Sequence, residues 1–499
     1  MQDRVVERPW VTHYDAGVPA SLAPYPERTL LAYVAAQARE WPQHPVIWFK
    51  GVPLTASRLE RLSNAFAAAL VRLGVRKGER VALLLPNCPQ FIIAELGAWK
   101  AGAVVVPLSP LYTEDELATL LAHTGSETIV TLTSYYARVK AVQGRAGVRR
   151  VIATSIKEHL PPLVRVLFTV LREKREGHYI ALEPGDMWFR DLIERHLDAM
   201  RPDVTVAADD PATLLPGSGI SGFPKAVLGT HRNMVITGAQ ITAWLGDTAE
   251  KGGVMLLPLP LYHMYGLNVV QSVAFMNRMT LALVPNPDDI NDVLDTIREV
   301  RPTYFSGVPD LYGEILDHPD VKSGKVDLSS IKLALSGAET LNAEHRRRFE
   351  ELTGGRVIEG YGMTESQSAN TINPVRGPTK TGSVGLPLPD TDVRIVDPND
   401  ERRQLAAGET GEILLYCPQH MASYWREPEE TSDTLRTELD GRVWIRTGDL
   451  GYLDEDGYLF LVDSKAELKV LRRKQAARYA TRAPGDSGGR LAPDAVPGA

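Results

Sequence analysis

The sequence predicts an α/β fold: a large N-terminal domain of two doubly wound, mostly parallel sheet subdomains, followed by a smaller β-rich subdomain. Three observations predict it. Short apolar runs alternate with segments of helical periodicity over most of the chain. Those runs end in Gly, Pro or polar residues, as buried parallel strands do. Beyond Gly382 the helical periodicity fades and strand-like runs follow one another.

From Leu30 to about Thr133, "LAYVAAQAREW" and "LERLSNAFAAALVRLGV" carry apolar residues at helical spacing. "RVALLLPN" is a short apolar strand ending in a turn. "FIIAELGAWKAGAVVVPL" reads as a helix stopped at Gly102, then a buried strand. The same grammar resumes from Asp209 to about Thr371 in "GGVMLLPLPLYH", "TLALVPN", "PTYFSGVP", "IKLALSGAE" and "RVIEGYGMTES". Ligands of open α/β sheets bind at the carboxyl ends of such strands. From Gly382 to Asp463, "SVGLPLPDTDVRIVD", "GEILLYC", "VWIRTGDLGYLD" and "GYLFLVD" read as strands. The expected division is about 1–208 and 209–375 for the α/β subdomains and 376–463 for the β-rich one. Residues 464–499 read as a hinge remnant and a largely disordered tail rich in Arg, Ala, Gly and Pro.

One insertion stands apart, Ser155–His178, "SIKEHLPPLVRVLFTVLREKREGH". Pro161 and Pro162 suit a helix start. Leu163, Val166, Leu167, Val170 and Leu171 then share one face, with Arg165, Arg172, Lys174 and Arg175 around them. Two readings stay open: a surface helix packed by its apolar stripe, or an interfacial helix making a peripheral membrane contact.

Composition narrows the class. The chain has 499 residues, 44% hydrophobic and 23% charged, with a net charge of -7, and this balance gives no reason to expect nucleic acid as a partner. Cys88 and Cys417 read as two unpaired thiols. No apolar h-region follows "MQDRVVERPW", and no run reaches the ~20 apolar residues of a membrane span. The expected location is cytoplasmic, with the insertion as the one candidate for contact with the inner face of a membrane.

"LLPGSGISGFPKAVLGTHRNM", Leu214–Met234, carries a G-x-G-x-x-G pattern in Gly217, Gly219 and Gly222, followed by Lys225. A dinucleotide fingerprint would open a helix at once, yet Pro224 and the strand-like "AVLGTH" follow. A P-loop would place Lys and Ser or Thr after Gly222, where Phe223 and Pro224 stand. Phosphate chemistry still fits. Glycines let backbone N–H groups approach an anion, Ser218 and Ser221 add hydroxyls, and Lys225 adds a positive charge.

With the motifs that follow it, "PLPLYHMYG" (258–266), "LSGAE" (335–339), "EGYGMTES" (359–366), "GSVGLPLP" (382–389), "GEILLYCP" (411–418) and "RTGDLGYLDEDGYLFLVD" (446–463), the loop resembles the AMP-forming adenylating superfamily. That superfamily includes acyl-CoA synthetases, adenylation domains and luciferase. The resemblance runs from about Leu30 to Asp463, and the insertion together with "ALEPGDMWFRDL" resembles the long-chain fatty acid–CoA ligases. It implies ATP-dependent activation of a long- or medium-chain fatty acid to acyl-AMP, then to acyl-CoA. ATP, Mg²⁺ and coenzyme A are the expected cofactor and co-substrates. It also implies a barrel-like form for the β-rich subdomain.

The resemblance assigns roles residue by residue. Ser218, Gly219, Ser221, Gly222 and Lys225 would hold the β- and γ-phosphates. Thr364 would hydrogen-bond the α-phosphate, and Glu365 would bind Mg²⁺ as a hard oxygen ligand. Gly337, Ala338, Glu339, Gly360, Tyr361 and Gly362 would line the adenine site. Asp449 would take both ribose hydroxyls, and His263 would sit beside the acyl carboxylate. Taken alone, Asp449 could merely close a turn and His263 could be a satisfied core histidine.

Three departures qualify the expectation. Gly217 and Ile220 stand where the family's loop has hydroxyl residues. The hinge reads Asp463–Ser464–Lys465–Ala466, with Ser464 where the family has Arg. Nothing after Val470 matches the small C-terminal lid domain that carries the family's adenylating Lys, and the loss of pattern after "AELKV" reads as a truncation or frameshift. The alternative expectation is therefore a partial or non-catalytic acyl-adenylate- or ATP-binding protein that needs such a domain in trans.

Overall fold

The computed structural model describes residues 8–217, 225–249 and 253–462. Their strands form three sheets. The first runs in the order Ser423–Tyr424, Lys225–Thr230, Pro211–Gly217, Val104–Pro107, Arg80–Leu84, Thr128–Leu132, Arg150–Thr154 and Met187–Trp188. It is parallel from Pro211–Gly217 onward and antiparallel in its first two pairings. The second runs Leu386–Pro387, Ser368–Ile372, Arg356–Met363, Leu333–Ser336, Tyr304–Gly307, Val254–Leu257, Thr280–Leu283, Pro45–Phe49 and Val52–Thr55. Its centre is parallel and its rims antiparallel.

The strand–helix alternation thus yields doubly wound, mostly parallel sheets, but the chain does not divide between them at residue 208. Pro45–Phe49 lies in the second sheet, with Ile47 opposite Leu281. The hairpin Pro211–Gly217/Lys225–Thr230 extends the first, with Thr213 opposite Val105. Each covers an otherwise open edge, and which edge a strand meets is a long-range choice that local periodicity does not encode.

The two sheets share one core. Every residue of helix Pro89–Lys100 is buried, which agrees with its apolar residues running all round the axis. Just before it, Asn87 donates to the Leu257 and Leu259 carbonyls at 3.1 and 2.8 Å; near its end, Trp99 donates to the Ala212 carbonyl at 2.8 Å. The helix is therefore clamped between the second sheet and the first. Gly102, at φ +75°, ends it where the sequence predicts a stop.

The third sheet is antiparallel: Asp400–Gln404, Asp392–Asp397, Gly411–Tyr416, Val443–Leu453 and Leu435–Thr437, with Leu459–Val462 also pairing Val443–Leu453. Its core gathers Val393, Ile395, Ile413, Leu415, Ile445 and Leu459, and takes in Tyr361 from the second sheet. Cys88 and Cys417 are buried, unpaired thiols whose pKa burial pushes up to about 12.

Helix Pro162–Leu171 does not fit the reading of the insertion as a helix packed by its apolar stripe. Phe168 alone of its residues is buried. Leu163 is 72% and Val170 75% exposed, and Val164, Val166, Leu167 and Leu171 are exposed as well. The apolar stripe does not pack on the core; it faces outward. Among the described residues, no helix is long and apolar enough to cross a membrane.

Candidate functional site

Three strand ends bring the candidate residues together. Gly217 closes Pro211–Gly217 and pairs with Lys225, which opens Lys225–Thr230. Ser218, Gly219, Ser221 and Gly222 fall between them, outside the described residues, as do Ile220 and the hinge at 463–466. A Cβ on Gly217 would lie 3.3 Å from Val227 and 3.9 Å from Glu365 Oε1. The base of the glycine loop therefore abuts Glu365.

The Lys225 side chain is only 6% exposed. A cation this buried needs a partner, and it ion-pairs with Glu430. Its ammonium also lies 5.0 Å from the centroid of the Tyr424 ring, a cation–π contact. The hydroxyl of Tyr424 donates to Glu365 Oε1 at 2.7 Å. Burial, and then the Glu365 charge, raise the pKa of that phenol, so it stays protonated as a donor. Lys225 and Glu365 meet on one aromatic side chain.

Glu365 sits in a tight turn, Thr364–Ser366, at the end of strand Arg356–Met363. Ser366 Oγ accepts from the Met363 N–H at 3.2 Å and donates to its carbonyl at 2.9 Å. Gln367, in the left-handed region at φ +58°, donates from Nε2 to the Thr364 carbonyl at 2.7 Å. Asn268 in turn donates to Gln367 Oε1 at 2.9 Å. The turn that presents Thr364 and Glu365 is thus fixed from within.

Tyr361 is buried, and its hydroxyl donates to Asp449 Oδ2 at 2.8 Å. Burial and the neighbouring Asp449 charge hold the phenol's pKa well above its usual value. Asp449 comes from strand Val443–Leu453, and its N–H donates to Thr447 Oγ1 at 3.0 Å. The two residues that the resemblance places on base and ribose are in contact, 88 positions apart in sequence.

Steric demands account for both glycines of this strand. A Cβ on Gly362 would lie 2.0 Å from the Ser368 carbonyl, and one on Gly360 2.9 Å from the Thr371 carbonyl. The returning antiparallel strand requires them. Gly337 follows strand Leu333–Ser336 and faces the Tyr265 ring, which a Cβ would approach to 3.0 Å. Ala338 is exposed at φ +74°, a conformation a non-glycine residue rarely adopts, and Glu339 is exposed beside it.

His263 precedes the π-helical turn Tyr265–Val270, a form frequent at functional sites. The residue is exposed, yet the packing around its ring desolvates the imidazole and lowers its pKa. The Tyr265 N–H donates to His263 Nδ1 at 3.3 Å. That fixes the neutral tautomer with its proton on Nε2.

The arrangement offers one buried cation, one carboxylate for a hard metal ion, and a carboxylate–phenol pair between strands Arg356–Met363 and Val443–Leu453. Among the described residues no three His, Cys, Asp or Glu side chains cluster as a metal site. Mg²⁺ commonly binds through one or two carboxylates plus substrate phosphates. Glu365, with Tyr424 engaging only one of its two oxygens, fits that form. Sequence reasoning missed Tyr424, Glu430 and Gln367. No spacing rule ties residue 424 or 430 to residue 225; the only local signal is an aromatic and acidic stretch, "YWREPEE".

The chain is similar to known proteins over most of its length. A family model described as "AMP-binding enzyme" matches residues 34–425. A long-chain-fatty-acid–CoA ligase of Bacillus subtilis is 34% identical over 470 residues, covering 93% of this chain and 81% of the relative. One of Yersinia pestis is 32% identical, over 93% of this chain and 81% of its own. Among solved structures, a long-chain-fatty-acid-CoA ligase of Archaeoglobus fulgidus superposes with a TM-score of 0.76 at 22% identity, covering 93% of this chain and 89% of that one.

Proposed function

Because the chain belongs to the AMP-binding enzyme family, we propose that it is an AMP-forming acid–CoA ligase that activates a long- or medium-chain fatty acid. The observation that carries this reading is the meeting of Lys225 and Glu365 on Tyr424, beside the base of the glycine loop. A carboxylate is a poor electrophile. Its oxygen attacks the α-phosphorus of ATP, pyrophosphate leaves, and the mixed anhydride then yields to the thiol of CoA with release of AMP. The first step is a matter of positioning and charge neutralisation.

In this reading Lys225 neutralises the departing phosphates and Thr364 donates to the α-phosphate. Glu365 would hold Mg²⁺, which would neutralise phosphate charge. Asp449 accepts from the ribose hydroxyls, and Tyr361 packs beside the base. His263, neutral and with its Nε2–H free of the Nδ1 contact, donates to the acyl carboxylate. The side chains of Ile241, Trp244, Met255, Val270, Tyr304 and Leu335 line a cavity whose apolar surface matches an alkyl chain in polarity. The same proposal includes a peripheral membrane contact through residues 155–178, supported by the outward apolar face of helix Pro162–Leu171, and hence a place at the inner face of a membrane.

The test is fatty-acid-dependent ATP–pyrophosphate exchange over a panel of chain lengths, followed by thioester formation with CoA. Exchange that peaks with a fatty acid supports the reading. MgATP binding without exchange for any acid supports the alternative, a nucleotide-binding chain that needs a further domain in trans.

A further inference from the structure

We propose that Tyr424 and Glu430 are positioning residues for the nucleotide site: Glu430 is an exchangeable counter-ion of Lys225 that nucleotide phosphate displaces, and Tyr424 holds Glu365 apart from that exchange. The proposal rests on the reading of Lys225 as a phosphate ligand.

Two carboxylates share this corner with one ammonium, and they are held differently. Glu365 is buried and accepts the Tyr424 hydroxyl at 2.7 Å. Glu430 is about a third exposed, on the short surface helix Pro428–Thr434, and reaches Lys225 as an ion pair. The partly hydrated carboxylate is the cheaper one to release to water. A triphosphate on Lys225 would put like charge against Glu430, so both cannot hold the ammonium at once.

Tyr424 is built to stay. Its strand pairs with Lys225–Thr230, Tyr424 opposite Val227. Its N–H donates to Thr431 Oγ1 at 3.0 Å, and Thr431 Oγ1 donates to the Glu427 carbonyl at 2.7 Å. The ring keeps its cation–π contact with Lys225 whichever anion the ammonium carries. The hydroxyl commits Glu365 Oε1, which keeps that carboxylate from collapsing onto Lys225.

The experiment is calorimetric titration of the whole chain with MgATP, AMP, and ATP in EDTA. Glu430→Gln removes the charge and keeps the shape. It is expected to tighten MgATP by up to about fivefold, the scale of a partly exposed ion pair, with AMP affinity unchanged because AMP lacks the displaced phosphates. Glu430→Ala gives the same reading should the amide disturb the short helix. Tyr424→Phe keeps the ring but loses the hydroxyl. It is expected to weaken ATP binding both with Mg²⁺ and in EDTA, because Glu365 is then free to take Lys225, while AMP affinity stays unchanged, a split that general loosening would not give. Unchanged or weaker MgATP binding in both Glu430 variants, or AMP affinity moving in parallel, overturns the proposal. Lys225→Ala separates the two levels. If it weakens MgATP while the Glu430 variants do nothing, the counter-ion idea alone fails. If it changes nothing, the phosphate reading fails and takes this proposal with it.

Discussion

The hydroxyl of Tyr361 reaches Asp449 Oδ2 across 2.8 Å and so joins the end of a strand in the second sheet to the third sheet. The contact acts beside others that join the two sheets, such as Ser383 Oγ donating to the Leu459 carbonyl at 2.8 Å. It also leaves Asp449 Oδ1 for another donor.

Asp449→Asn should test whether that donor is a ribose. The amide keeps the size and an acceptor oxygen but loses the charge. A hydrogen bond to a charged group contributes about 1.5–3 kcal/mol. ATP and AMP affinity should therefore both fall by roughly ten- to a hundredfold in calorimetry, with little change in melting temperature. Equal affinities in variant and wild type would remove Asp449 from nucleotide binding.

The outward face of helix Pro162–Leu171 should bind an anionic lipid surface. Six exposed apolar side chains lie on it, and residues 155–178 hold five Lys or Arg against three Glu in a chain of net charge -7. Local positive charge and an unburied apolar stripe are the two requirements of an interfacial helix. In flotation, the wild type should rise with anionic vesicles and much less with zwitterionic ones. The double variant Leu167→Ser, Val170→Ser should stay in the soluble fraction at an unchanged melting temperature. Equal flotation of both proteins would refute the contact. A face that instead pairs with a second copy would show as a concentration-dependent mass in light scattering.

Buried titratable groups should shape the pH dependence of stability. Glu95 is wholly buried in helix Pro89–Lys100; desolvation pushes its pKa from 4.5 to about 8, against a lowering hydrogen bond from Gln271 at 2.7 Å. Between about 4.5 and 8 the folded chain keeps a proton that the unfolded chain has released. Stability from this group is present below 4.5 and is lost as pH rises through 8. His159 and His231 act in the opposite sense. Desolvation lowers both from 6.5 to about 4, so stability is lost as pH falls from about 6.5 through 4. Thermal melts should therefore peak near pH 6.5. Glu95→Gln keeps a partner for Gln271 and abolishes the alkaline loss, so its gain over wild type should be large at pH 8 and absent at pH 4. Parallel melting curves for the two proteins across that range would contradict the assignment.

Much of the site was legible before any coordinates. Lys225, Thr364, Glu365, Tyr361 and Asp449 were legible as candidates because they stand in ordered motifs that resemble those of the adenylating superfamily. Gly362 was legible as part of a motif, and the structure adds a steric reason for it, the close approach of the Ser368 carbonyl. Tyr424 and Glu430 were not legible, since their partners lie on strands and turns far away in sequence, and local spacing carries no trace of such a contact.

By itself the sequence determined the α/β class, the alternation of its elements and the stop at Gly102, which follow from periods of a few residues, and it marked the candidate groups through motifs that resemble a known family. Only the tertiary structure decided that Pro45–Phe49 joins the second sheet and the hairpin 211–230 the first, that Tyr361 meets Asp449, that Glu430 holds Lys225, and that the stripe on Pro162–Leu171 faces outward. Periodicity shows which face of an element is apolar. What covers that face depends on the positions of every other element at once.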